Sequence, residues 1–210
     1  MVRYPLLWFA LTCSVNYLGL IRCCKAFLPM LKRQAIQGIY RGRILNLTSS
    51  AGLVWGLPGL SAYSSSKHAA NIVSDYLRLE LKTAFGIPVV TVNPSFHDTP
   101  MVNGMKDYAD QQWENEVSPE KKQEYGQDFY RQMRHITAEK PRMVTWNANV
   151  VVQQVIELLK AKHPPAQVII GSDARFIFLV LRMLPAWCVD LIFANGLNRY
   201  PVPAAMQENK

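Results

Sequence analysis

Apolar positions recur along the chain with two periods, and the switches between them lay out its elements. Over residues 15–32, Leu18, Ile21, Phe27 and Leu31 stand near helical spacing, which predicts a helix whose last turn Pro29 kinks or shortens. A polar link, 33–42, leads to residues 43–47, a short and mostly apolar run behind a glycine that reads as a buried strand. Residues 48–60 are rich in Ser and Gly and read as loop. Residues 62–84 are helical again, with Ile72, Val73, Tyr76, Leu77 and Leu81 along one side, closed by Gly86-Ile87-Pro88. Residues 89–92 form a second strand and 94–117 read as irregular. Ser118-Pro119-Glu120 is a helix start: a capping hydroxyl, a proline at the first helical position and an acid at the positive end of the dipole. That helix is predicted to reach about His135. Residues 147–162 give a further helix, ended by Pro164-Pro165, and 167–171 a third strand. Strands alternating with helices argue for a parallel α/β sheet.

Composition narrows the class. Half of the 210 residues are apolar, which excludes a disordered chain. The net charge of +8 comes from scattered Lys and Arg rather than a basic stripe, so it argues for a solvated basic surface, with an anionic membrane surface second and no nucleic acid partner. Cys13, Cys23, Cys24 and Cys188 form no C-x-x-C, and His68, His97, His135 and His163 are not spaced as metal ligands, so no metal is expected and the thiols read as free, in a reducing compartment. Residues 6–11 are apolar behind a single Arg3, a poor signal peptide. Residues 175–194 are strongly apolar but interrupted by Arg182, Pro185 and Asp190. They read as two short amphipathic pieces that cap a greasy pocket or lie in a membrane interface.

Candidate chemistry gathers at three places. Thr48-Ser49-Ser50 ends the first strand, and the segment from Asn93-Pro94 to Thr99 follows the second; ligands of open α/β sheets bind beyond such carboxyl ends. Tyr63 and Lys67, four apart on a helix, share a face. An ammonium beside a phenol lowers its pKa from about 10 and makes it a general acid or base near neutral pH. A nearby Ser hydroxyl holds a carbonyl or alcohol oxygen. Y-x-x-x-K alone is common on amphipathic helices; the 13-residue step from Ser50 to Tyr63 gives it weight.

With Asn16-Tyr17-Leu18-Gly19, residues 42–50 (GRILNLTSS), Tyr63-Ser64-Ser65-Ser66-Lys67 and Val92-Asn93-Pro94 through Thr99 in this order, the sequence resembles the short-chain dehydrogenase/reductase family over residues 14–195. Trp113, Ser118-Pro119-Glu120, Tyr125-Gly126, Phe129, Leu184-Pro185-Ala186-Trp187 and Asp190 resemble its retinol and hydroxysteroid dehydrogenase branch, to which hydroxybutyrate dehydrogenase is related. The resemblance implies a partial doubly wound, Rossmann-like parallel sheet with helices on both faces. It implies an NAD- or NADP-dependent oxidoreductase that interconverts an alcohol and a ketone or aldehyde on a retinoid- or steroid-like lipid. Tyr63 is then the acid/base. Lys67 lowers its pKa and holds the nicotinamide ribose, Ser50 orients the reacting oxygen, and Asn16 holds a proton-relay water. Pro94, Phe96 and Thr99 border the nicotinamide. The residues leave alternatives open: Asn16 suits a helix terminus, Thr99 a cap, and Ser49 the part given to Ser50. His68 and His97 are expected to stand outside the chemistry. Other implied partners are a membrane surface and a second copy of the chain; the implied location is intracellular, at the endoplasmic reticulum membrane or else mitochondrial.

Two departures qualify this. Ser95 replaces the family's Gly after Pro94, which is expected to reshape the nicotinamide pocket. No Gly-rich phosphate turn follows a first strand, and Gly52, Gly56 and Gly59 fall inside the loop between Ser50 and Tyr63. A βαβ unit takes roughly 30 residues, so the expectation is one domain over 1–210 whose N-terminal strands are missing, with an apolar cap over 172–200. Its first strand is expected to be an exposed edge, and by itself it should bind nicotinamide nucleotide poorly. The competing readings are a catalytically silent truncated isoform and a peripheral membrane protein without chemistry.

Overall fold

The computed structural model describes residues 6–38, 42–53, 59–139, 145–172, 174–195 and 201–207. Strands β1 (Ile44–Leu47), β2 (Val89–Pro94) and β3 (Gln167–Ile170) form one parallel sheet in the order β1-β2-β3. Ile44 stands opposite Val89, and Thr91 opposite Gln167. β2 is buried on both faces, as its valine-rich run suits in a parallel sheet. On one face Val90, Val92 and Ile170 pack with Leu158; on the other, Val89 packs with Leu81 and Ile87, joined by Leu28, Leu31 and Leu77. β1 starts at Ile44, where its pairing with β2 begins, and the guanidinium of the preceding Arg43 reaches the Leu158 and Ala161 carbonyls at 2.6 and 2.7 Å.

The helices follow the periodicity, with corrections at their ends. α1 is continuous over Leu6–Gln37, longer than its predicted span, with a π turn at Ser14–Leu18. Pro29 does not end it: that residue is exposed, so water can serve the carbonyl that loses its partner. Gly38, at φ 68°, does. α2 (Ser61–Phe85) ends at Gly86, whose N–H bonds the Lys82 carbonyl. Residues 94–117 are not irregular. Thr99 caps α3 (Pro100–Asn103), and α4 (Met105–Asn115) follows; its apolar side is only Ala109 and Trp113, too sparse to reveal a period. The Ser118 hydroxyl caps α5 (Pro119–Tyr125) as expected, but Gly126 (φ 80°, ψ 160°) breaks the predicted helix and α6 (Gln127–Arg134) restarts it. Trp113 stacks on Tyr130 at 4.6 Å to tie α4 to α6. α7 (Asn149–Lys160) covers the sheet, and α8 (Leu179–Met183) and α9 (Ala186–Asn195) part at Pro185 and pack through Leu181 and Val189.

Among the described residues no strand pairs with the outer edge of β1. Ile44 donates to the Pro88 carbonyl just before β2 and Thr48 to the Val92 carbonyl within it, so by alternation Leu45 and Leu47 turn their backbone groups to that open edge. The Leu47 side chain is 56% exposed.

Candidate active site

α2 lies close to β1 and α1 because its inner stripe is small: Ala62, Ser66, Ala70 and Ser74 are all buried. Ser74 receives a hydrogen bond from Asn46 on β1 (2.9 Å), and Ser66 one from Asn16 on α1 (3.1 Å). This brings the first two turns of α2, with Tyr63 and Lys67, over the end of β1. There residues 48–49 leave the strand and Ser50–Gly52 form one 3-10 turn. The turn is pressed onto α2: a Cβ on Gly52 would lie 2.7 Å from the Lys67 carbonyl carbon and 2.7 Å from the Asn71 amide nitrogen.

The Ser49 hydroxyl accepts from the Ala51 N–H and is the serine that acts on the Tyr63 phenol, favouring its ionised form. Ser50 is buried on the same turn. Burial pushes the Tyr63 phenol above its ordinary value, and the Ser49 hydrogen bond opposes that shift. The Lys67 ammonium is pulled below its ordinary value by burial. It donates to the Leu47 carbonyl (3.4 Å) and stands 5.7 Å from the Tyr63 ring centroid. The sequence led to a phenol depressed by Lys67; in the chain as it stands burial wins, and Lys67 serves the strand edge.

Asn16 sits in the π turn of α1, an irregularity that recurs at functional sites. Its amide is tied to Ser66, whose hydroxyl bonds the Tyr63 carbonyl (2.7 Å), so it joins the cluster from behind. The loop after β2 is braced throughout. The Ser95 N–H bonds the Ile170 carbonyl, Trp146 and residues 96–98 exchange backbone bonds, and Asn103 donates to Asp98. Pro94 and Phe96 are half-buried there. The Thr99 hydroxyl accepts from the Val102 N–H as a helix cap, which leaves its proton available to an acceptor. His97 is buried and donates Nδ1–H to the Ser95 carbonyl, while Nε2 has no protein partner; His68 donates to the Ser64 carbonyl. Gly59, at φ 71°, backs onto Thr137, and Gly56 lies outside the described residues. The cysteines are free, and among the described residues no cluster of His, Cys, Asp or Glu fit for a metal occurs.

The reading of motifs missed the polar centre behind the serine turn. Asn93, fully buried on β2, aims its amide nitrogen at the Thr48 hydroxyl, the Ser49 carbonyl (3.1 Å) and the Asn71 oxygen (2.8 Å). Its oxygen accepts from Gln167 (2.8 Å), and Asn71 donates to the Gly52 carbonyl (2.7 Å). The available signal was a lone amide closing an apolar strand, since such a group must find partners.

Residues 8–110 match the short chain dehydrogenase family. The chain is 34% identical to a 3beta-hydroxysteroid dehydrogenase of Caenorhabditis elegans, over 96% of this chain and 52% of that protein. It is 31% identical to human 17-beta-hydroxysteroid dehydrogenase type 6 (91% and 57%) and 29% identical to human retinol dehydrogenase 16 (88% and 56%). It thus spans about half the length of the curated relatives it matches. A Burkholderia cenocepacia short chain dehydrogenase, solved in complex with NADP, shares the fold at a TM-score of 0.55 and 22% identity, over 85% of this chain and 55% of that one. A Burkholderia phymatum short chain dehydrogenase/reductase, solved with NAD, does so at 0.56 and 20%, over 90% and 60%. These matches place residues 8–110 in the short-chain dehydrogenase family, and make the chain similar along most of its length to hydroxysteroid and retinol dehydrogenases.

Proposed function

We propose that this chain carries the catalytic half of an NAD(P)-dependent oxidoreductase that interconverts an alcohol with a ketone or aldehyde on a retinoid- or steroid-like lipid. The observation that carries the reading is the meeting of Ser49, Tyr63 and Lys67 at the carboxyl end of β1. The residues fit a nicotinamide nucleoside in their donor chemistry. Lys67 offers an ammonium for ribose hydroxyls, Thr99 keeps a hydroxyl proton for a carboxamide oxygen, and Pro94 and Phe96 offer apolar surface. When bound, that group supplies or accepts the hydride. Tyr63 passes the proton to or from the substrate oxygen, and the Ser49 or Ser50 hydroxyl holds that oxygen in line. Asn16, through Ser66, steadies the Tyr63 turn. Catalysis needs a phenol that gives up its proton near neutral pH. Lys67 must then leave the Leu47 carbonyl and turn its charge to the phenol.

The test is nicotinamide absorbance during turnover of retinol and a hydroxysteroid by the chain and by Tyr63→Phe. Loss of a general acid/base costs about 10²–10⁴-fold in rate; a Tyr63→Phe chain that turns over as the parent does overturns the reading.

A membrane-surface location accompanies this function and rests on two apolar faces. α1 is long and apolar enough to cross a bilayer by composition, and Leu7, Leu11, Val15 and Leu18 line its exposed side. Phe176, Val180, Met183, Trp187 and Leu191 are exposed along the C-terminal helices, beside Arg175 and Arg182. An intracellular membrane, the endoplasmic reticulum by the family resemblance, is the location we propose. Co-flotation with liposomes that survives the change of these five residues to serine speaks against the C-terminal face.

A further inference from the structure

Asn93 stands where three elements end. It is fully buried, yet its amide nitrogen has three acceptors and its amide oxygen a donor, drawn from the segment after β1, from α2 and from β3. One nitrogen with two protons cannot serve three acceptors fully, so the bonds are shared and each partner is held in a common arrangement. The partners are not scattered. Two of them are Thr48 and the carbonyl of Ser49, the residue whose hydroxyl acts on the Tyr63 phenol. Asn71, two turns beyond Tyr63 on the same helix, receives from Asn93 and passes its own proton to the Gly52 carbonyl, at the far end of the serine turn. The turn is thus pinned at both ends, by Asn93 directly at Ser49 and by Asn93 through Asn71 at Gly52. Gln167 fixes which way the Asn93 amide faces.

We propose that Asn93 is a positioning residue: it holds the turn over residues 48–52, and with it the Ser49 hydroxyl, against the Tyr63 face of α2. It touches neither Tyr63 nor any reacting atom and acts through Ser49. A strand residue of any apolar type would fill the space, but would take one of two donors from the Ser49 carbonyl, leaving it the Gly52 N–H, and would leave the Asn71 amide oxygen without the donor it has here. The turn would then be free to rotate away from Tyr63. The significance of this for catalysis rests on the function proposed above; the positioning itself does not, and it is measured without turnover.

The readout is the Cζ resonance of Tyr63 in carbon-13 tyrosine-labelled chain at neutral pH, assigned by its disappearance in Tyr63→Phe. That resonance reports the hydrogen bonding of the phenol, whose one charged neighbour on α2, Lys67, is left in place. Ser49→Ala is expected to shift it. Asn93→Ala is expected to shift it in the same direction and by a similar amount, and Ser49→Ala/Asn93→Ala by no more than either alone. Thr48→Val, isosteric and β-branched on a strand end, removes one acceptor of Asn93 without opening a cavity. It is expected to give a smaller shift of the same sign, and it decides the matter if circular dichroism shows that Asn93→Ala does not fold. The proposal is overturned if Ser49→Ala leaves the resonance unmoved, or if folded Asn93→Ala and Thr48→Val both leave it where the parent chain has it. A Tyr63→Phe chain with unchanged turnover strikes the catalytic reading alone and leaves the shifts standing.

Discussion

Gly52→Ala tests how tightly the serine turn is seated on α2. The added methyl carbon would lie 2.7 Å from the Asn71 amide nitrogen, 2.7 Å from the Lys67 carbonyl carbon and 2.8 Å from the Lys67 oxygen. Two of these are backbone atoms in the middle of a helix, which cannot rotate away as a side-chain tip can. Gly52 is not among the glycines with positive φ, so alanine meets no torsional penalty there and the cost is steric. Overpacking of this kind costs about 1–3 kcal/mol. Alanine recovers about 0.4–1 kcal/mol by restricting the unfolded chain. The net is a loss of roughly 1–2 kcal/mol, and for a chain of this size about 2–4 °C per kcal/mol, hence a Tm lower by roughly 2–8 °C in scanning calorimetry. Gly86 supplies the contrast: nothing lies within 4 Å of its Cβ position, but its φ is +67°. Asn, which tolerates that region, should largely preserve stability at Gly86 and should be worse than Ala at Gly52. A Gly52→Ala chain that melts at or above the parent Tm would refute the close seating of the turn.

Three further outcomes follow from contacts elsewhere. Arg43→Met removes two charged hydrogen bonds to the Leu158 and Ala161 carbonyls at the end of α7, and should cost about 1–3 kcal/mol in urea denaturation. Hydrogen bonds from Arg134, then from Tyr130, hold Asp110 below the usual carboxylate range. Its folded pKa is depressed, so its contribution is present above the unfolded value of about 3.9 and lost as pH falls through the folded one. The Tm gap between parent and Asp110→Asn should therefore close in acid and be flat from pH 5 to 7, as a thermal-shift series would show. Replacing Trp187 by Phe should remove the blue shift of tryptophan emission that anionic vesicles are expected to produce; an undiminished shift would place the lipid contact elsewhere.

The sheet was legible because three valines with only the β-branched Thr91 among them precede Asn93 on β2, and the helices around it carry clear apolar stripes. The serine turn, Tyr63 and Lys67 were legible as spacing, which helix geometry converts into a shared face. What was not legible came from partners distant in sequence. The period of α4 is hidden because its buried side is made by Gln112 as well as Ala109 and Trp113, and Gln112 is paid for by the Tyr108 hydroxyl. Gly126 was visible, but a glycine inside a helical pattern can be a tolerated residue or a break, and it is the break here because its backbone takes φ 80°, with Ala204 packed where a Cβ would stand. The choice between Ser49 and Ser50 was likewise beyond spacing. It depends on how the turn is held against α2, and the bonds that hold it come from Asn93, Asn71 and Gln167 on three other elements.

The open edge of β1 and the state of Tyr63 are one phenomenon. Parallel alternation sends the Leu47 carbonyl outward, and among the described residues no strand accepts it. A strand edge needs a donor, and Lys67 is the donor within reach. An ammonium so engaged lies over the ring face at 5.7 Å from its centroid, and it carries its own desolvation. Its charge therefore does too little to offset the burial of Tyr63, and the phenol stays above its ordinary value. Any group that took over the Leu47 carbonyl would release Lys67 toward Tyr63 and lower the phenol's pKa. On the function proposed above, the readiness of this tyrosine for proton transfer would then be set at the edge of the sheet as much as within the Tyr-Lys pair.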